Sequence, residues 1–100
     1  MNSEKILSLL GFAAKAGKLS FGTHATTFAV ESAKAKLVLA AEDISEKSVK
    51  ELKFKAEKQK IQVLILSGIK TADLSKRVGK NCGILAVNDS GFADAISKHE

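Results

Sequence analysis

The chain has no proline, no tryptophan and no tyrosine, and one cysteine, Cys82, among its 100 residues. A lone thiol excludes an internal disulfide framework and fits a reducing compartment. His24 and His99 are the only histidines. Neither they nor Cys82 have the spacing of metal ligands, so no metal and no cofactor are expected. The five phenylalanines give poor material for an RRM, which stacks bases on sheet aromatics. Phe12, Phe28 and Phe92 read instead as members of buried faces. The Gly-x-x-Gly clamp of a KH domain and the Gly-x-Gly-x-x-Gly of a dinucleotide site are both missing. No apolar run is long enough to cross a bilayer. The start, MNSEKILSLLG, carries Glu4 inside a short apolar stretch and does not read as a signal peptide. A cytoplasmic protein with no membrane partner is the expectation. Proline/serine-rich linkers, repeats and low-complexity tracts are absent too, so residues 1–100 are expected to form one domain.

What is present is charge and changing periodicity. Lys and Arg number 16 against 11 acids, for a net charge of +5. That suits a polyanionic partner such as RNA, and equally a solvated lysine-rich surface. Ile6, Leu9, Leu10, Ala13 and Ala14 follow helical spacing, with Asn2 or Ser3 as N-cap and Gly17 as the stop. Lys18 to Phe21 reads as a short strand. Thr23 is placed to cap a second helix with Phe28, Ala29 and Ala33 on its inner face. Leu37–Ala41, Ile61–Leu66 and Ile84–Val87 are apolar on consecutive residues, the pattern of strands covered on both faces. Between them, a helix starting near Asp43 or Ser45 buries Val49, Leu52 and Ala56, and another spans Thr71 to Val78 before Gly79. A last helix follows Ser90 and buries Phe92, Ala95 and Ile96. The fold class is α/β, a three-layer α-β-α sandwich around a small four-stranded mixed sheet.

Several motifs fail on inspection. GFAAKAGK at 11–18 looks like a phosphate loop, but five residues separate Gly11 from Gly17 where the motif needs four. Leu19 stands where a magnesium-binding hydroxyl belongs. Cys82 and His24 form a weak catalytic pair. The simpler reading makes Cys82 a small loop residue and His24 an exposed one in the first turn of a helix. Glu42 and Asp43 could act as an acid pair, yet helix capping by Asp43 accounts for them as well. Lys47, Lys50, Lys53, Lys55, Lys58 and Lys60 make a basic helix face, interrupted by Glu51 and Glu57. A solvated face with Glu51–Lys55 pairing explains it.

Two places favour ligand contact, since ligands of α/β sheets gather at strand ends and helix starts. They are the helix start at Gly22 and Thr23 and the strand exit at Ala41, Glu42 and Asp43. Around them, KAGKLSFGT (15–23), AKAKLVLAAEDIS (33–45), TADLSKRVGK (71–80) and LAVNDSGFADAI (85–96) follow one another in a specific order. From about Ile6 to Ile96 the chain resembles the kink-turn RNA-binding superfamily of ribosomal proteins (L-seven-Ae, L-thirty-e and S-twelve-e types), in particular its bacterial YlxQ-like branch.

The resemblance implies a non-enzymatic protein that grips a sharply bent RNA, ribosomal or another kink-turn-like one, with ribosomal or other proteins as further partners. In the family, the second helix starts Gly-Thr-Asn-Glu-Thr-Thr-Lys and reads the sheared G·A pairs beside the bend. This chain has Gly22, Thr23, His24, Ala25, Thr26, Thr27 and Phe28 there. The amide is replaced by an imidazole, the carboxylate by a methyl and the ammonium by a phenyl ring. The flanking segments Glu42, Asp43, Ile44 and Lys80, Asn81, Cys82, Gly83, Ile84 keep the family's shape. The resemblance further implies phosphate contacts by Lys15, Lys18 and Lys80, and one positive face around Gly22 made by Lys15, Lys18, Lys34, Lys36 and Lys80. Two rival readings remain. One is a protein-interaction module on the same fold, favoured if Phe28 is exposed beside Ala25 and His24. The other is a small enzyme using His24, Asp43 or Cys82.

Overall fold

The computed structural model describes all 100 residues. Five helices and four strands alternate along the chain: α1 (Ser3–Lys15), β1 (Leu19–Phe21), α2 (Gly22–Glu31), β2 (Leu37–Ala41), α3 (Glu46–Lys58), β3 (Val63–Leu66), α4 (Thr71–Val78), β4 (Ile84–Val87) and α5 (Ser90–Ser97). The strands form one mixed sheet in the order β1-β4-β2-β3, with β4 antiparallel to both neighbours and β2 parallel to β3.

The consecutive apolar residues of the strands are divided between two cores by the pleat. Leu37, Leu39 and Ala41 of β2 face Ile6, Leu10, Leu74, Ala93 and Ile96 from α1, α4 and α5. Val38 and Ala40 face Ala29, Val30, Leu52 and Ala56 from α2 and α3. Helices therefore cover both sheet faces, which is the expected three-layer sandwich, and no sheet face is free for base stacking.

Local departures from the expected pattern have local causes. Lys18 stays outside β1 because its N–H closes the end of α1 on the Ala13 carbonyl at 3.0 Å. Likewise Ile61 donates back to Ala56 at 3.0 Å, after Lys60 turns at φ 58°, so β3 begins only at Val63. In α2 the buried stripe is Thr26, Ala29 and Val30. Phe28 lies on the opposite face and is 69% exposed, and Ala33 lies beyond the helix at φ 60°. Phe12 is 62% exposed as well, while Phe92 is half-buried. Val49 and Ala95 are only half-buried on helices whose inner positions are Leu52 and Ala56, and Ala93 and Ile96. The Glu51–Lys55 pair does not form; Arg77 with Glu4, at 3.0 Å, is the only ion pair.

Candidate functional site

Strand register decides which loops meet. Phe21 at the exit of β1 pairs with Leu85, Ala40 near the exit of β2 pairs with Ile84, and Ala41 pairs with Leu66 at the exit of β3. The exits of β1, β2 and β3 and the entry of β4 therefore share one end of the sheet. At that end lie the α2 start at 22–27, the β2 exit at 42–44 and the loop at 80–83. Three segments far apart in sequence are neighbours in space.

The α2 start is open. Gly22 has φ +88°, a conformation that favours glycine. The N-cap is Phe21, whose side chain accepts nothing, and the first turn has no acid. Thr23 sits inside that turn, so the capping role expected of it is not played. Every other helix start is met by a side chain. Asn2 accepts from Lys5 N–H (3.2 Å), Ser45 from Ser48 (3.2 Å) and Asp89 from Phe92 (2.9 Å). For α4, Asp43 accepts from Thr71 N–H (2.9 Å) and Asp73 from Lys70 N–H (3.0 Å). The N–H groups at the start of α2 thus point their partial positive charge outward with no side chain on them.

Beside this start runs an open groove of about 930 Å³, lined by Phe21, Thr23, His24, Ala25, Thr27 and Phe28 of the α2 side, by Glu31, and by Lys55 of α3. His24, Phe28 and Glu31 recur at helical spacing and so share one face of α2. Thr26, by contrast, is fully buried, and its Oγ1 has no hydrogen-bond partner. Its side chain is withdrawn from any ligand.

The β2 exit is tied down. Asp43 Oδ1 accepts from both the N–H (2.9 Å) and the hydroxyl (2.7 Å) of Thr71. These bonds, the hydroxyl's first, hold the Asp43 carboxyl below its ordinary pKa although it is solvent-exposed. Asp43 therefore caps α4 across the fold, while Ser45 caps α3. Glu42 Oε1 accepts from Gly68 N–H at 3.0 Å, and Glu42 N–H donates to Ile69 at 2.8 Å. The two carboxylates fix the same turn between β3 and α4 at different points, Glu42 at Gly68 and Asp43 at Thr71.

The 80–83 loop presses against the same corner. A methyl on Gly83 would come within 2.5 Å of both Ile44 Cδ1 and Thr71 Oγ1. Only glycine lets the loop lie against this corner. Cys82 is buried; its N–H donates to Ser75 Oγ (2.9 Å) and its carbonyl accepts from the same hydroxyl (3.0 Å). Burial pushes its thiol pKa up, away from nucleophilic reactivity. The Ile84 side chain is buried among α2 and α3 residues. In this loop Lys80 and Asn81 are exposed and Gly83 is half-exposed; the Cys82 and Ile84 side chains are buried and out of a ligand's reach.

The expected positive face divides. Lys80 Nζ lies 5.9 Å from the centre of the Phe21 ring, and Lys15 lines the same cleft. Lys18 and Lys36 sit at the other end of the sheet: the Lys18 carbonyl accepts from Asn88 and Lys36 N–H donates to Val87, each at 2.8 Å. Lys34 closes the far end of α2 on Ala29. They precede their strands, and the sheet separates strand starts from strand exits. In their place Lys76 and Arg77, which were not expected on the positive face, join Lys15 and Lys80. Their signal in the sequence was only the basic last turn of a short helix.

Comparison with known proteins agrees with this architecture. The family model described as ribosomal protein L7Ae/L30e/S12e/Gadd45 family matches residues 4–97. A curated relative from Enterococcus faecium, named RNA-binding protein YlxQ, is 33% identical over 92 residues, covering 92% of this chain and 87% of its own. A solved structure from Bacillus halodurans, of a protein described as of unknown function, superposes with a TM-score of 0.87 at 29% identity over 94% of each chain. The Giardia lamblia 15.5kD RNA binding protein shares the fold with a TM-score of 0.77 at 19% identity, over 96% of this chain and 82% of that one.

Proposed function

The chain belongs to the ribosomal protein L7Ae/L30e/S12e/Gadd45 family, and on that premise we propose that it is a non-enzymatic, cytoplasmic protein that binds structured RNA at the start of α2. The observation that carries this reading is the uncapped α2 start, set at the sheet end where the 42–44 and 80–83 segments also arrive. Outward N–H groups and a flexible glycine at a helix start are suited to phosphate and sugar oxygens. Gly22, Thr23, His24 and Thr27 supply the contacts, with Lys15 and Lys80 neutralising phosphate beside them. Glu42, Asp43 and Gly83 act by holding the surrounding loops. A ribosomal or other kink-turn-like RNA is the partner; no helix is long and apolar enough to cross a membrane.

An enzymatic role has little support. His24 lies in the open groove, Cys82 is buried behind Ser75, and Asp43 is engaged with Thr71. A second reading is favoured by one observation, the exposure of Phe28 beside Ala25 and His24. It makes the groove a docking site for a protein on a fold that no longer holds kink-turn RNA. One titration separates the two. The protein is titrated at moderate salt with a kink-turn RNA and with the same RNA lacking its G·A pairs. Saturable binding that weakens steeply with salt supports the RNA reading. Absence of binding to either RNA removes it and leaves the protein-docking reading.

A further inference from the structure

Phe21 lines two openings. On one side is the α2 groove; on the other is a cleft of about 340 Å³ between α1 and the end of α4. This second cleft is walled by Gly11, Lys15, Lys76, Arg77 and Lys80, and no carboxylate lines it. Elsewhere acids are interspersed with the lysines: Glu31 faces Lys55 across the α2 groove, and Glu57 shares the α3 surface with Lys50 and Lys53. The cleft has a local construction. The Arg77 stem lies against α1 at Gly11, with Cγ and Cδ 3.8 Å from where a methyl would sit, an ordinary packing distance. Gly79 at φ +78° ends α4 and turns the chain so that Lys80 comes over Phe21. Arg77 is partly engaged by Glu4 at 3.0 Å, and Lys15, Lys76 and Lys80 have no ion-pair partner.

We propose that this cleft binds the phosphodiester backbone of an RNA helical arm leaving the α2 site, through Lys15, Lys76 and Lys80 with Arg77 as a fourth, partly engaged cation. The inference rests on the RNA reading above, to which Lys15 and Lys80 already belong, and extends it through Lys76 and Arg77 into the cleft between α1 and α4. Continuity through Phe21 is what joins the two: that residue lines both openings, and no carboxylate lines the cleft. The unadorned alternative is that Lys76 and Arg77 only offset the negative end of the α4 dipole. That role would appear in thermal stability and not in the salt dependence of binding.

The test measures RNA affinity of the full chain across a salt series, using a bent internal loop flanked by two duplex arms. Three proteins are compared: the unmodified chain, the cleft variant K15Q/K76Q/K80Q, and the α3 variant K50Q/K53Q/K58Q, which has the same net charge as the cleft variant. Each phosphate contact contributes roughly 0.7–0.9 to the slope of log affinity against log salt. The cleft variant should lose about two units of slope and bind at least about tenfold more weakly, while the α3 variant keeps the slope of the unmodified chain. Trimming the arm that leaves the α2 site should lower the slope of the unmodified chain and leave that of the cleft variant unchanged. Equal slopes for all three proteins, or equal losses in both variants, overturn the cleft and the phosphate contacts of Lys15 and Lys80, while RNA binding at the α2 start stands. If the unmodified chain binds no RNA, the RNA reading and the cleft fall together. Circular dichroism melts of the three proteins establish that each is folded during the titrations.

Discussion

At the β2 exit the exposed carboxylates are engaged, and at the α2 start, on the same end of the sheet, no side chain meets the helix. Glu42 holds Gly68, Asp43 holds Thr71 twice, and Gly83 packs where no methyl fits. Across the sheet end, α2 begins on Phe21 without a side-chain acceptor, Thr26 buries an unpaired hydroxyl, and Phe28 stands in solvent. Polar groups already spent on the backbone build a frame; those left unspent are available to a partner. By this rule the two acids, which drew attention in the sequence, hold the scaffold together, and the helix start they flank is the place for a ligand.

The largest expected effect sharpens the open side. The family's helix start has an amide and a carboxylate where this chain has His24 and Ala25. Each such base contact is worth about 1–3 kcal/mol. H24N/A25E should therefore raise affinity for a kink-turn RNA by roughly one to four powers of ten, with a matching gain in discrimination against RNA without G·A pairs. Adding Phe28→Lys should be tolerated because Phe28 is exposed. Equal affinity of the unmodified chain and H24N/A25E would mean that the α2 start reads nothing at those positions.

Next in size is a change to the closed side. Gly83→Ala forces apart the 80–83 loop and the 43/71 corner. Ile44 Cδ1 can swing away, but Thr71 Oγ1 is held by Asp43 at 2.7 Å. A loss of about 1–3 kcal/mol in urea unfolding is expected. A change below about 0.5 kcal/mol would show that the corner is looser than its contacts.

Thr26→Val probes the opposite condition. It replaces the unpaired hydroxyl by a methyl of similar shape. Stability should be unchanged or rise by up to about 1 kcal/mol; a loss beyond that would mean the hydroxyl has a partner in solution.

The smallest effect is on pH dependence. The Asp43 pKa is lowered in the fold by its bonds from Thr71, so its contribution is present above the ordinary carboxylate range, about 4, and is lost as pH falls through the lowered folded value. Asp43→Asn keeps an acceptor but cannot be protonated there. Its urea midpoint should lie below that of the unmodified chain near neutrality, and the two should converge on acidification as Asp43 is protonated. Parallel acid limbs for the two proteins would remove Asp43 from the account.

Most of the architecture was legible in the sequence because the two covered sheet faces force consecutive apolar residues into the strands, and Gly79 and Ser90 mark helix limits. The α4 range, Thr71 to Val78, and the β2 and β4 ranges were readable to the residue. Side-chain direction was less so. The expected inner face of α2 was Phe28, Ala29 and Ala33, and the buried stripe is Thr26, Ala29 and Val30. Hydropathy ranks a phenylalanine inside and a threonine outside, whereas here the rotation of the helix against β4 places them the other way.

The order of segments, their periodicity and the altered helix start at 22–28 were determined by the sequence itself, because local propensity and burial act on neighbouring residues. Which charges gather was decided by the tertiary structure alone. Lys18, Lys34 and Lys36 lie close to Gly22 in the chain but at the other end of the sheet or of α2, while Lys76 and Lys80, more than fifty residues away, line the cleft that Phe21 shares. Strand register and the turn at Gly79 set those distances, and Coulomb interactions depend on distance in space, not on separation along the chain.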